Sequence, residues 1–198
     1  MTPWEHHPDL QRDRLIEIAR LIHQARNDAL DRQDLSVGSN PWTIGCEAYA
    51  FGLHQITQAE PEHAWLTVLQ PGMQFVFAIG DVRVRFYKGA PDEPTKRTLR
   101  QTFSELHQPS LFGLDEISSA ELLYRIAVET DFDGQIAAIS FVILDGVSPI
   151  LTWNVPLDEP VTRVAAIDIP DADGVELSKP RVIVPGVDQD KKDGTEDD

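Results

Sequence analysis

The chain's basic side chains are concentrated in one short stretch, DVRVRFYKGAPDEPTKRTLR, at residues 81–100. Of the 17 Lys and Arg residues, six lie between positions 83 and 100, opposed there only by Asp92 and Glu93. Guanidinium and ammonium groups form charge-assisted hydrogen bonds with phosphates and carboxylates. We therefore predict that this basic corner binds an acidic partner or a phosphate-bearing ligand. Its residues are Arg83, Arg85, Tyr87, Lys88, Lys96, Arg97 and Arg100.

Strand alternation and helix periodicity predict how the basic corner is presented. Residues 82–88 alternate as a strand that turns its valines and Phe86 to the core and places Arg83 and Arg85 on the opposite face. A helix over residues 94–107 is expected to leave Lys96, Arg97 and Arg100 exposed beside its N-terminal N–H groups. Such N–H groups attract anions, so the helix start would strengthen the predicted site.

The basic corner also has a purely structural interpretation, and both interpretations stay open here. Lys and Arg on an exposed strand protect it from pairing with another chain, and 33 Asp and Glu residues are present to neutralise them. A third hypothesis is that the acidic tail at residues 186–198 covers the basic corner and competes with its ligand.

A second candidate site is the row of acidic residues in ELLYRIAVETD, residues 121–131. Alternation places Glu121, Arg125 and Glu129 on one strand face, with Asp131 just beyond. Metal-dependent nucleases use carboxylates that converge from neighbouring strands to hold a divalent ion and activate water. A solvated sheet face with cross-strand ion pairs explains the row equally well. A metal-dependent nuclease or other phosphoryl-handling enzyme is therefore the alternative to a binding protein.

The acidic segment ETDFDGQI has part of the spacing of a calcium loop. Glu129, Asp131, Asp133 and Gly134 fall at its first, third, fifth and sixth positions, but the twelfth is Ser140, where a bidentate carboxylate is required. The flanking segments have strand patterns, so a hairpin turn is predicted instead.

Signatures of cofactor and metal chemistry are absent from the sequence. No Gly-rich phosphate loop or nucleophile elbow occurs, and no two of the six His residues have the four-residue spacing of paired ligands on a helix. The single cysteine, Cys46, falls on the apolar side of a predicted helix, which indicates a core residue. We predict no cofactor and no metal, and we prefer a function without catalysis.

Length and charge set the broad class. A chain of 198 residues with 41% hydrophobic content is long enough for one domain with a real core. The formal net charge of −16 repels nucleic acid at long range, so nucleic acid is expected to bind only at the basic corner. No leader-like or membrane-spanning apolar run occurs. We expect a cytoplasmic protein that does not contact a membrane.

The elements that position these residues predict an α+β fold with antiparallel meanders, because the turns within each meander are too short for parallel crossovers. The second helix, which begins at Pro41, is expected to be more buried than the first, with Gly45 and Gly52 where another element approaches. We predict one domain at residues 1–184 and a disordered acidic tail at 185–198. The parts of the domain are helices at 8–58, a meander at 64–88, a helix at 94–107, a second meander at 121–156 and edge strands at 162–184.

The stretch RFYKGAPDEPTKRTLRQTFSEL, followed by LF at residues 111–112 and by YRIAVETDFDG, resembles small bacterial proteins encoded beside a helix-turn-helix regulator of the ImmA/IrrE type. The resemblance covers about residues 65–155. It implies that the chain is the effector or toxin-like component of a toxin-antitoxin or phage-defence pair. It also implies that the regulator is a partner, and it carries over no catalytic residues.

Overall fold

A computed structural model describes residues 1–102, 104–105 and 122–157 of the chain. All of these residues belong to one compact unit. Glu121, the predicted edge strands at 162–184 and the predicted tail at 185–198 lie outside the described residues.

A single six-stranded sheet forms the centre of the described fold, with its strands in chain order from edge to edge. The strands are β1 (Leu66–Gln70), β2 (Val76–Ile79), β3 (Val82–Lys88), β4 (Leu123–Thr130), β5 (Ile136–Asp145) and β6 (Ser148–Asn154). Helices precede this sheet, so the predicted α+β class and its two meanders are confirmed.

The pairing between the two meanders differs from the prediction. Within each meander the strands are antiparallel, but β3 and β4 pair in parallel, with Val84 opposite Tyr124 and Lys88 opposite Val128. Short turns enforce antiparallel pairing only where they occur, and the connection from β3 to β4 is long enough to bring the chain back to the end of the sheet at which β3 begins. The parallel strands β3 and β4 therefore begin at the same end of the sheet.

Two long helices lie against one face of the sheet. The helices are α1 (Pro3–His6), α2 (Arg12–Asp31), α3 (Pro41–Ala59) and α4 (Lys96–Leu99), with 3₁₀ turns at Leu35–Val37 and Glu60–Glu62. The predicted cap of α3 is confirmed, because Asn40 accepts hydrogen bonds from the backbone N–H groups of Trp42 and Thr43. None of the described helices has the length and apolar character needed to cross a membrane.

The burial of α2 and α3 reverses the prediction. The apolar stripe of α2 is almost wholly buried, whereas Trp42 of α3 is 75% exposed and Cys46 is exposed. Apolar composition was a poor guide here, because α2 supplies most of the helical side chains that pack on the sheet. Of the two predicted close approaches, only Gly52 is confirmed, since a Cβ there would lie 3.1 Å from Phe86 Cζ while Gly45 faces open space.

The opposite face of the sheet carries a second, smaller apolar cluster. Tyr87 and Leu99 pack against it, so the chain that follows β3 covers part of this face. The solvated sheet face that was one interpretation of the acidic row is wrong at Arg125, which is buried on this face between Leu123 and Ala127. The buried cluster residues are Leu123, Ala127, Val142 and Leu144.

The helix predicted at residues 94–107 is present but much shorter. It ends after Leu99, and Arg100 has extended backbone angles. The Arg100 carbonyl accepts a hydrogen bond from Arg85, and the Thr102 N–H donates to a carboxylate oxygen of Glu105. Side chains therefore satisfy backbone groups of this segment that a longer helix would have satisfied through its own hydrogen bonds.

Candidate functional site

The strand of the basic corner has the predicted alternation. Val82, Val84 and Phe86 are buried, while Arg83 and Arg85 lie on the other face and are half-buried. Tyr87 shares that face, and its hydroxyl donates to the carbonyl of Ala90 at 3.0 Å. Burial raises the pKa of Tyr87, so its hydroxyl stays protonated at neutral pH.

The two strand arginines are bound internally. Arg85 Nη1 donates to the Arg100 carbonyl at 2.9 Å and to Glu105 Oε2 at 3.3 Å. Arg83 Nη1 donates to the Glu105 carbonyl at 3.1 Å. The predicted internal neutralisation therefore holds for this part of the basic corner, and these contacts fasten the chain after α4 to the sheet.

A buried carboxylate lies at the centre of this network. The side chains of Glu105 and Arg125 are only 4% and 2% exposed, and Glu105 Oε1 lies 2.6 Å from Arg125 Nη1. Glu105 Oε2 accepts hydrogen bonds from the backbone N–H and the hydroxyl of Thr102. Arg125 also donates from Nε to the Thr98 carbonyl and from Nη1 to the Tyr124 carbonyl. The cluster brings together β3, β4 and the segment around α4.

Arg125 stays charged in its buried position. Burial lowers the pKa of Arg125, and the carboxylate of Glu105 opposes that effect. An arginine has so high an intrinsic pKa that it stays protonated in proteins. Glu105 was absent from the sequence-based candidates. The sequence signal for such a carboxylate was the surplus of cations at residues 83–100, because buried cations require a nearby anion.

The other four cations of the basic corner form an outer set. Lys88, Lys96, Arg97 and Arg100 are exposed, and none of their side chains has a hydrogen bond or ion pair with another described residue. Arg97 and Arg100 face a groove of about 260 Å³ together with the internally bound Arg85. The other described residues that line the groove are Met73, Gln74 and Thr102.

The expected contribution of a helix N-terminus is wrong. The helix α4 has only four residues, and the hydroxyl of its N-cap Thr95 already accepts from the N–H of Thr98. A single turn has almost no macrodipole. Anion binding in the groove would therefore depend on guanidinium groups rather than on backbone N–H groups.

The acidic candidates of the second meander have separate surroundings. Asp131 Oδ1 accepts from the backbone N–H of Gln135 at 2.8 Å, as expected in the predicted hairpin turn. Arg26 of α2 is buried beside this turn and donates to the Gly134 carbonyl at 2.7 Å. Arg125 pairs with Glu105 instead of lying free beside Glu129.

Metal binding by these acids finds no geometric support in the described part of the chain. Among those residues, no group of three or more His, Cys, Asp and Glu side chains could hold a metal ion. Glu121 lies outside the described residues, so the enzyme alternative stays a prediction.

Comparisons of the chain with protein-family models, curated proteins and solved structures found no match.

Proposed function

We propose that the chain is a binding protein that holds an anionic group in the groove of Arg85, Arg97 and Arg100. The observation that carries this proposal is that Arg97 and Arg100 are exposed beside one groove and make no side-chain hydrogen bond or ion pair within the described part of the chain. Guanidinium groups in such a position match the oxygens of a phosphate or a carboxylate.

The buried cluster behind the groove supports the same proposal. Arg85 is held by the Arg100 carbonyl and by Glu105, so one wall of the groove is fixed before any ligand arrives. A fixed binding group loses less conformational entropy on binding, which favours affinity. Arg85 Nη1 is occupied by these contacts, which leaves Nε and Nη2 for a ligand.

The overall charge limits the class of ligand. The formal net charge of −16 repels extended polyanions at long range. A small phosphate-bearing molecule or a short acidic segment of a partner protein experiences less of this repulsion than a nucleic acid does. We therefore favour the former classes over nucleic acid.

Charge reversal in the groove tests the proposal. We expect the double variant Arg97→Glu/Arg100→Glu to weaken binding of inorganic phosphate and of an acidic peptide by roughly tenfold or more, measured by calorimetry at low salt. The matched control is Lys88→Glu/Lys96→Glu, which makes the same charge change at exposed residues that do not line the groove. An equal loss in both double variants would contradict a local site.

The biological setting that we propose is the effector role in a toxin-antitoxin or phage-defence pair. Its support is the resemblance of residues 65–155 to proteins encoded beside a helix-turn-helix regulator. Purification of the native complex from its host tests this setting. Recovery of a regulator would support the paired role, and recovery of nucleic acid that depends on Arg97 and Arg100 would favour a nucleic-acid ligand.

A further inference from the structure

Two uncharged residues from another part of the chain also line the groove of the basic corner. They are Met73 and Gln74, and they lie in the connection between β1 and β2, residues 71–75. We call this connection the β1–β2 loop. Because Arg97 and Arg100 of the same groove are assigned to the anion, the β1–β2 loop is placed to contact the group that the anion carries.

The β1–β2 loop is tied at both ends. The hydroxyl of Tyr49, on α3, donates to the Met73 carbonyl at 3.1 Å and accepts from the Phe75 N–H at 3.2 Å. At the other end of the loop, Gln70 Oε1 accepts from the hydroxyl of Ser104 at 2.9 Å. Ser104 belongs to the segment after α4, so this bond joins the loop to the basic corner. The backbone of the loop is therefore fixed before a ligand arrives.

Met73 is accessible although its loop is fixed. It is 83% exposed, so a molecule in the groove can reach it. A methionine side chain is flexible and polarizable, and its sulfur makes favourable contacts with aromatic rings. The guanidinium groups of arginines also stack on aromatic faces. Both kinds of side chain therefore favour a flat ring beside the anion.

The groove has room for more than a phosphate group. Its volume is about 260 Å³, whereas a cavity of roughly 150 Å³ already holds benzene. A lipid chain would need a continuous apolar surface, and Met73 is the only apolar side chain among the described residues that line the groove. The groove is thus better matched to a phosphate with one ring than to a phosphate with a long alkyl chain.

We propose, on the basis of the function proposed above, that the groove binds an aryl phosphate, in which the phosphate is joined directly to an aromatic ring. The phosphate pairs with Arg97 and Arg100, and the ring lies against Met73. Tyr49 is a positioning residue, because it fixes the loop that carries Met73. A small aryl phosphate and a phosphotyrosine side chain both have this chemistry.

The first test compares two phosphates of equal charge by calorimetry at low salt. Phenyl phosphate has the ring and methyl phosphate lacks it, and both are dianions at about pH 8, since the second pKa of a phosphate monoester is about 6. We expect phenyl phosphate to bind at least about fivefold more tightly. Equal affinities that both fall in Arg97→Glu/Arg100→Glu would overturn the aryl class and leave the anion site standing. If neither compound binds, or if neither depends on these arginines, the proposed function fails as well.

The second test removes the contact with the ring. Met73→Ser should lower the affinity for phenyl phosphate to that for methyl phosphate, and it should leave the binding of methyl phosphate unchanged. Val147→Ser is the matched control, because Val147 is 68% exposed between β5 and β6 and does not line the groove. A preference for phenyl phosphate that persists in Met73→Ser would overturn the proposal, and so would an equal loss in Val147→Ser.

The third test separates positioning by Tyr49 from a general effect on the fold. Tyr49→Phe removes only the hydroxyl that joins the Met73 carbonyl to the Phe75 N–H. We expect the ratio of the two affinities to fall at least about threefold, while methyl phosphate binding and the circular dichroism spectrum stay the same. A structural role alone would lower both affinities together. That result, or an unchanged ratio, would contradict positioning by Tyr49.

Peptides identify the source of the aryl phosphate. A phosphotyrosine peptide that binds more tightly than phenyl phosphate would assign the ligand to a partner protein, and weaker or equal binding would assign it to a small molecule. Both results support the aryl phosphate class. A phosphoserine peptide of the same sequence is the control, and binding as tight as that of the phosphotyrosine peptide would overturn the proposal.

Discussion

Glu105 and Arg125 form a buried ion pair, with Oε1 of the carboxylate 2.6 Å from Nη1 of the guanidinium. Arg125 lies on β4, whereas Glu105 lies in the irregular segment after α4. The pair therefore ties this segment to the second face of the sheet. Since Arg85 contacts the same carboxylate, the pair also fixes one wall of the proposed groove.

Removal of the carboxylate is expected to be costly. Glu105→Gln leaves Arg125 and Arg85 without their anion in a buried position, and breaking a buried pair in this way costs about 3–5 kcal/mol. Urea unfolding followed by circular dichroism measures the loss. Asp145→Asn is the control, because Asp145 is exposed and should change the free energy of unfolding by less than about 0.5 kcal/mol. Similar losses in both variants would mean that the pair contributes no more than a surface charge.

The contrast between Arg85 and Glu105 shows how much of this site could be predicted from sequence. Alternation of period two is a local pattern, so it correctly placed Val84 and Arg85 on opposite faces of β3. The choice of partner is not local, and nothing near Glu105 in the sequence indicates that its carboxylate pairs with Arg125 on β4. The helix predicted at residues 94–107 also led away from this contact, because in a helix the Glu105 side chain would point in another direction.

The parallel direction of the pairing between β3 and β4 was also missed. Short Gly-containing turns correctly predicted the hairpins, including the β2–β3 hairpin that turns at Gly80 and Asp81. The parallel pairing of β3 with β4 depends on the long connection between them, and the short turns within each meander, from which strand direction was inferred, carry no information about it. The exposure of Cys46 and Trp42 was missed for a related reason: an apolar helix indicates burial without indicating which side is covered.

The two glycines of α3 form a matched pair for testing how closely this helix approaches the sheet. Gly45→Ala is expected to stabilise the protein by roughly 1 kcal/mol, because alanine has the higher helix propensity and open space surrounds the position.

Gly52→Ala places a methyl group 3.1 Å from Phe86 Cζ. The Phe86 ring is held by Tyr49 and Phe75, so it has little room to move. We expect a net loss of about 1 kcal/mol, because overpacking exceeds the gain in propensity. Thermal unfolding of both variants gives the comparison, and stabilisation by both would show that the ring yields.

Two turn glycines separate backbone strain from a steric clash. Gly80 and Gly146 have the same left-handed φ of +59°, but a Cβ at Gly80 would overlap the Asp9 carboxyl group, while none is near Gly146. Gly146→Ala is expected to cost about 1 kcal/mol from strain alone. Gly80→Ala is expected to cost about 1–2 kcal/mol more, because Asp9 must release its bonds to the Asp81 N–H and to Arg14.

A double variant checks that explanation. In an Asp9→Ala background the clash is gone, so Gly80→Ala should cost only as much as Gly146→Ala does in the natural chain. Chemical denaturation of the four variants provides the energies. A penalty for Gly80→Ala that is unchanged by Asp9→Ala would locate the strain in the backbone instead.

Acidic pH should remove the contribution of Asp9 to stability. The hydrogen bond from the Asp81 N–H is the largest cause that holds the pKa of Asp9 below its ordinary value of 3.8, and Arg14 lowers it further against the opposing effect of burial. A carboxylate whose pKa is lower in the folded state stabilises the protein above the unfolded value, and it loses that contribution as the pH falls through the folded value. The natural chain should therefore exceed Asp9→Asn in free energy of unfolding at pH 7, and the difference should narrow below pH 3.8.

Urea titrations of both proteins from pH 7 to pH 3 measure this difference. The comparison cancels the other acids, including Asp34, whose pKa is lowered by Ser36 in both proteins. A difference that stays constant over this range would mean that Asp9 acts through its shape and not through its charge.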